Sequence, residues 1–268
     1  MREEGISIEN PTVCIEETLS GKPGIVDLWY YFHEMIDDAA LLAAQEALMT
    51  PEEFARCRSL RFEPDRRVFV ATRALVRTVL SRYAAVAPEQ WRFLAGPHGK
   101  PRVAQPEVKP PIYFNLSNTL GLVVCAVSVA HQSIGVDVEG IDRLQGKTEL
   151  LDLADRYFSP AEVRALRALP SSERVRRFFA IWTLKESYIK ARGLGLTQPL
   201  HQFTFQLGQD EVAVTFDAGM ADDATRWRFS LLDSLPQHMI AVGADTDGAA
   251  LSLRTSHIVP LRGKGPRV

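Results

Sequence analysis

The feature that most limits what this chain can fold into is a long helical segment with an acid in its apolar face. From Glu173 to Arg192 apolar residues recur at helical spacing, and Gly193 stands where a left-handed residue closes a helix. At about 100° per residue, Val175, Phe178, Phe179, Trp182 and Ile189 share one face, with Glu186 in its middle. Lys190 falls at the edge of that face and Lys185 on the other flank. A carboxylate so placed is costly unless a cation or strong donors compensate it. It is either half of a buried Glu–Lys pair or part of a cation site.

A second segment bears on that choice. In Ile134-Gly-Val-Asp-Val-Glu139 the strand period puts Asp137 and Glu139 on one face and Val136 and Val138 on the other. Alone, such a strand reads as half-exposed, with its acids in water. Two carboxylates about 7 Å apart repel unless they are solvated or share a cation. Together with Glu186 they offer three hard oxygen ligands and neither sulfur nor imidazole, a set that suits Mg²⁺.

Phosphate binders belong beside such an ion. Eight arginines fall between residues 56 and 82, at 56, 58, 61, 66, 67, 73, 77 and 82, as an anion-facing surface or a solvated helix face. Gly99-Lys100-Pro101 offers a lysine on a rigid turn. Asn115-Leu-Ser-Asn118 ends a strand with polar side chains, which equally suit a local turn. The net charge of -2 gives no reason to expect nucleic acid. Three scattered cysteines make no disulfide framework, the six histidines form no zinc-like pair, and neither a signal peptide nor a membrane span is expected. The expected setting is cytoplasmic.

The rest of the chain alternates helix and strand. Asp65 to Tyr83 has helical spacing with Pro64 in its first turn; Ile112 to Ser117 and Leu122 to Val129 are strands around an Asn118–Gly121 turn. A short turn at 130–133 leads into Ile134–Glu139, giving an antiparallel meander. Ser159-Pro160-Ala161-Glu162 is a capping box opening a helix to about Leu169, and Phe203 to Val242 reads as short strands. Arg67–Leu75 echoes Arg176–Leu184, which points to two similar α+β halves with a ligand cleft between them. The expected division is an irregular segment 1–24, an N-terminal half 25–133, a C-terminal half 134–255 carrying the metal site, and a flexible basic tail 256–268.

Four elements in order carry a resemblance: His98-Gly-Lys-Pro-Arg102, Phe114-Asn-Leu-Ser-Asn118, Gly135-Val-Asp-Val-Glu139 and Trp182-Thr-Leu-Lys-Glu-Ser-Tyr-Ile-Lys190. They span roughly a third of the chain, and the chain resembles the 4′-phosphopantetheinyl transferases of the larger, monomeric class typified by the surfactin-synthetase activator. The resemblance implies an α+β fold of two pseudo-twofold-related halves with the active site between them. It also implies Mg²⁺-dependent transfer of phosphopantetheine from coenzyme A to a serine of an apo acyl or peptidyl carrier protein, a holo-[acyl-carrier-protein] synthase activity, by a monomer acting on no nucleic acid and no membrane. Asp137, Glu139 and Glu186 would then hold Mg²⁺. Arg56, His98, Gly99, Lys100, Pro101, Arg102, Asn115, Ser117 and Asn118 would bind coenzyme A. Lys190 would contact the phosphates and assist the departing 3′,5′-ADP, with Glu186 as first candidate for general base and Glu162 as second. Asn118 departs from the family, which has histidine there to meet the nucleotide 3′-phosphate; asparagine donates a hydrogen bond but no charge. Two other readings use the same residues: a Mg²⁺-dependent hydrolase of the coenzyme A pyrophosphate, and a non-catalytic binding module for coenzyme A or a carrier.

Overall fold

Every residue of Leu122–Ser128 is buried, so this strand has cores on both of its faces. A computed structural model of the chain, which describes residues 25–141, 149–195, 198–208, 211–233 and 235–262, shows what covers them. In chain order the strands are β1 (Ile25–Tyr31), β2 (Arg92–Ala95), β3 (Pro101–Gln105), β4 (Tyr113–Thr119), β5 (Leu122–Ser128), β6 (Ile134–Gly140), β7 (Phe203–Leu207), β8 (Val212–Phe216), β9 (Trp227–Leu232), β10 (His238–Asp245) and β11 (Ser252–His257). The helices are α1 (Ala39–Glu46), α2 (Pro51–Ser59), α3 (Glu63–Leu80), α4 (Glu149–Tyr157), α5 (Pro160–Ala168) and α6 (Ser171–Arg192).

Alternate residues of β5 feed two cores. Val123, Cys125 and Val127 pack with Ala71, Leu75, Val76 and Val79 of α3, while Leu122, Val124 and Ala126 meet Val136, Val138, Ile240 and Val242 of β6 and β10. The layers are therefore α3, a sheet ordered β11-β1-β5-β4, a sheet ordered β6-β10-β9, and α6. In each sheet the half's first strand pairs with its last, and the last with the one before it: β1-β5-β4, then β6-β10-β9. Each half also has a small hairpin, β2-β3 or β7-β8, and a capping box with proline in the first turn, at Thr50–Glu53 or Ser159–Glu162. The two α+β halves expected from the echo between Arg67–Leu75 and Arg176–Leu184 thus share one topology.

Three expectations change. The meander does not form, because β6 leaves β5 to pair with β10 in the second sheet. Asn118 and Thr119 belong to β4, pairing with Val123 and Leu122, so the reversal narrows to Leu120-Gly121. The boundary drawn at 255/256 falls inside β11, which returns from the C-terminal half to pair in parallel with β1 from Ile25↔Ser252 to Tyr30↔His257. Ile258 and Pro260 beyond it are buried, so the expected tail begins no earlier than 261. The segment 1–24 and residues 263–268 lie outside the described residues.

The α6 helix lies unusually close to the second sheet, and glycine is the reason. A Cβ added to Gly135 would sit 2.0 Å from Ser187 O and 2.4 Å from Ala191 N. On β10, opposite it, a Cβ on Gly243 would meet Phe229 at 2.6 Å and Ser187 Oγ at 3.3 Å. Backbone cannot move aside as a side-chain tip can, so Gly135→Ala must push α6 off β6. The expected cost is about 3 kcal/mol or more in urea unfolding. Gly219→Ala, at a glycine with open space around it, is the control that should change little.

Candidate active site at the seam of the two sheets

Strands β4 and β6 run side by side at the edges of different sheets, joined by side chains instead of a backbone ladder. Asn115 Oδ1 accepts the amide of Val136 at 2.9 Å, and Ser117 Oγ that of Val138 at 3.3 Å. The same Ser117 hydroxyl donates to Asp137 Oδ1 at 2.9 Å. From α6, Lys190 Nζ reaches Asp137 Oδ1 at 2.7 Å and Ser117 Oγ at 2.8 Å. Asp137 is only 4% exposed, and its second oxygen, Oδ2, is buried without a hydrogen-bond partner among the described residues. Such an orphan acceptor is rare and costly.

Glu186 stands one turn before Lys190, so both project from the same side of α6. Burial pushes its carboxyl above the usual carboxylate range, the nearby Asp137 charge adds to the rise, and Lys190 opposes it. Its setting differs from the expected apolar stripe. From Phe178 to Ala191 the helix is buried all round except at Trp182, Glu186 and Lys190. The second sheet, the β7-β8 hairpin and helices α4 and α5 enclose the other faces. Glu186 therefore sits on the one partly open stripe.

That stripe borders a cleft of about 270 Å³. The cleft gathers His98, Gly99, Lys100, Pro101, Asn115, Glu186 and Lys190, all expected from the sequence, and adds the apolar walls Leu116 and Ile189 with Gly193 and Gly195. Ser117 and Asp137 lie behind it, bound to Lys190. Other expected residues are placed elsewhere. Arg56 is exposed on α2 and Arg102 on β3, and neither lines the cleft. Asn118 is exposed on β4 with Nδ2 3.5 Å from Thr72 Oγ1. Lys100 is not free for a nucleotide, because its ammonium donates to the carbonyls of Ile134 and Ala191, each at 2.9 Å. Much of the arginine cluster is also committed. Arg73 and Arg77 pair with Glu53, Arg67 pairs with Glu63, Arg66 donates to the carbonyls of Leu60 and Arg61, and Arg82 stacks on Trp29.

Among the described residues no three acid, histidine or cysteine side chains converge as a ready metal cage, so the trio Asp137, Glu139 and Glu186 is not gathered. Lys190 holds Asp137 Oδ1 in an ion pair. The donor chemistry still fits a hard divalent cation: an orphaned carboxylate oxygen on Asp137 beside a second carboxylate whose charge it disfavours.

The buried Glu–Lys pair does exist, one residue over. Lys185 is fully buried and donates to Glu162 Oε2 at 2.8 Å and to the carbonyls of Leu200 and Phe203. Burial draws its ammonium down to about 8, against the opposing pull of Glu162. Glu162 also accepts the amides of Ser159 and Phe205, which leaves no role for it as a base. Removing one partner strands a buried charge, so Glu162→Ala should cost about 3–5 kcal/mol in denaturant unfolding. Glu186→Ala, on the open stripe, should leave the unfolding midpoint nearly unchanged.

The family model described as the 4′-phosphopantetheinyl transferase superfamily matches residues 133–243, from the start of β6 through most of β10. The 4′-phosphopantetheinyl transferase HetI of Nostoc sp. (strain PCC 7120) is 35% identical over 191 residues, covering 71% of this chain and 75% of that protein. A putative 4′-phosphopantetheinyl transferase of Synechocystis sp., slr0495, is 31% identical over 72% of this chain and 75% of its own. Sfp of Bacillus subtilis, another 4′-phosphopantetheinyl transferase, is 34% identical over 61% of this chain and 69% of its own. With Asp137, Glu139, Glu186 and Lys190 inside the matched region and the relatives aligned over most of their length, the chain belongs to the 4′-phosphopantetheinyl transferase superfamily.

Proposed function

We propose that the chain moves the 4′-phosphopantetheine group of coenzyme A to a serine of an apo carrier protein and releases 3′,5′-ADP. The observation that carries the reading is the Ser117–Asp137–Lys190 cluster, with Glu186 beside it, at the rim of the cleft. In the reaction the serine oxygen bonds to the β-phosphorus as the pyrophosphate bridge breaks. Alignment and charge neutralisation, more than covalent catalysis, lower such a barrier. Lys190 offsets the charge growing on the departing 3′,5′-ADP, and its bonds to Ser117 and Asp137 hold it in place. Glu186, made more basic by burial and by Asp137, takes the serine proton. Asp137, Glu139 and Glu186, which do not converge as a ready cage, would be the oxygen donors for Mg²⁺, and the ion would polarise the phosphoryl oxygens.

The coenzyme A contacts proposed here are His98, Gly99, Pro101, Asn115 and Lys190, with Arg56, Arg102, Ser117 and Asn118 completing them where the nucleotide extends beyond the cleft. For an acyl carrier the reaction is that of a holo-[acyl-carrier-protein] synthase. A repeated half supplies the cleft within one chain, which favours a monomer. Among the described residues no helix is long and apolar enough to cross a membrane.

The test incubates the chain with coenzyme A, Mg²⁺ and an apo carrier and follows the carrier by mass spectrometry. A gain of one phosphopantetheine supports transfer; free phosphopantetheine with an unmodified carrier supports the hydrolase reading, and neither product supports a binding module. Glu186→Ala should lower transfer by about 10²–10⁴-fold with its circular dichroism unchanged. Full activity in that variant would remove Glu186 from the chemistry.

A further inference from the structure

Lys100 sits at the tip of the β2-β3 hairpin, in a turn closed by Gly96 N to Lys100 O at 2.8 Å and Gly99 N to Gly96 O at 2.9 Å. Its ammonium joins three parts of the molecule that are far apart in sequence. One bond goes to Ile134 O, the first residue of β6, and the other to Ala191 O, in the last turn of α6. The carbonyls of a helix's last turn lack partners within the helix and carry the negative end of its dipole, so a cation suits them. The aliphatic stem of Lys100 packs against Gly193, where an added Cβ would lie 3.4 Å from Lys100 Cδ. Gly195 approaches His98 as closely, and both glycines have positive φ, 65° and 59°. The turn that follows α6 is thus seated on the hairpin tip.

We propose that Lys100 is a positioning residue, clamping the end of α6 to the start of β6 so that Glu186 and Lys190 keep their places over Asp137. The inference rests on the functional reading above, and it replaces the grip on the nucleotide that family resemblance assigns to this lysine. Ala191 follows Lys190 directly, so releasing its carbonyl loosens the turn that carries the catalytic ammonium. Burial draws the Lys100 ammonium down to about 8. Below that pH it is charged; above it the neutral amine keeps two N–H groups but loses the charge that strengthens bonds to carbonyls. Burial penalises the charged form in this place, so a pH rising through about 8 does not release the clamp: the seated amine still has an N–H for each of the two carbonyls. The ionisable groups that line the same cleft are His98, Glu186 and Lys190.

The experiment compares wild type with Lys100→Met in steady-state transfer from coenzyme A to an apo acyl carrier, from neutral to alkaline pH. Amide hydrogen exchange is followed across residues 189–195. A clamp predicts a fall in kcat of about 10–100-fold with KM for coenzyme A within about twofold. It also predicts faster exchange around Gly193. A raised KM with kcat intact would mean a direct phosphate contact and would overturn the proposal, as would unchanged kinetics. If Lys100→Met fails to fold, Lys100→Gln, which keeps an N–H donor, is read in the same way: a lowered kcat with KM for coenzyme A within about twofold supports the clamp, and a raised KM with kcat intact overturns it. If wild type transfers no phosphopantetheine, the functional reading falls while exchange still judges the clamp, unchanged exchange at 189–195 sinking it.

Discussion

The seam depends on how near α6 comes to β6 and β10. Gly135 and Gly243 remove the side chains that would hold the helix away, and Ser187 and Ala191 present small groups to the space they leave. At that separation, residues on the adjoining stripe of α6 reach the face of β6 that carries Asp137. Glu186 and Lys190, one turn apart, arrive together. A more ordinary helix-on-sheet distance, with a side chain at 135, would leave Lys190 short of Asp137 and the Ser117 hydroxyl without its third partner. The sequence Gly-Val-Asp-Val-Glu thus joins a spacing device to a chemical one two residues away.

The repeated topology separates structural charges from chemical ones. In each half the glutamate of a capping box pairs with a fully buried cation on the following long helix, Glu53 with Arg77 and Glu162 with Lys185. The same sequence spacing separates Thr50 from Ser159, Glu53 from Glu162 and Arg67 from Arg176. A feature that both halves keep serves the common fold. Among the described residues the Asp137–Lys190–Ser117 cluster has no counterpart in the other half, and it lies where the edge of one sheet meets the edge of the other, the place at which the proposed chemistry is set.

Local pattern made much of this legible. The long helix closed by Gly193, the capping box at Ser159, the hairpin of Ile112–Val129 and the mixed α+β character all follow from periodicity and punctuation within a few residues. What escaped was set by distant segments. Nothing near Ile134 says that the strand pairs with residues 238–244, and nothing near Ser252 says that it lies beside Ile25. The depth of Glu186 was misread because periodicity finds an apolar face but not the number of neighbours closing the other faces. Lys185 and Lys100 looked like available cations; their partners are a distant glutamate and backbone carbonyls, which no side-chain pattern reveals. The glycine at 135 was the available signal for the close approach, since a strand-interior glycine often marks a place where another backbone comes near.

Charge ties the ligand to the ion. Glu186, Lys100 and Lys190 line the cleft and Asp137 lies behind it, bound to Lys190, so two carboxylates stand against two ammonium groups, one of which is turned to backbone carbonyls. A coenzyme A pyrophosphate would add negative charge beside those carboxylates. At an effective dielectric near 20, each like-charge pair at 4 Å costs roughly 4 kcal/mol, so a phosphate set against Glu186 would call for a cation between them. A divalent cation would supply it: held by the Asp137 and Glu186 carboxylates, it would relieve the repulsion that raises the Glu186 carboxyl and offer the phosphates an opposite charge. Ion and coenzyme A should therefore bind with mutual reinforcement, each lowering the electrostatic cost of the other. The buried Oδ2 of Asp137, without a hydrogen-bond partner among the described residues, is the oxygen that such an ion would satisfy.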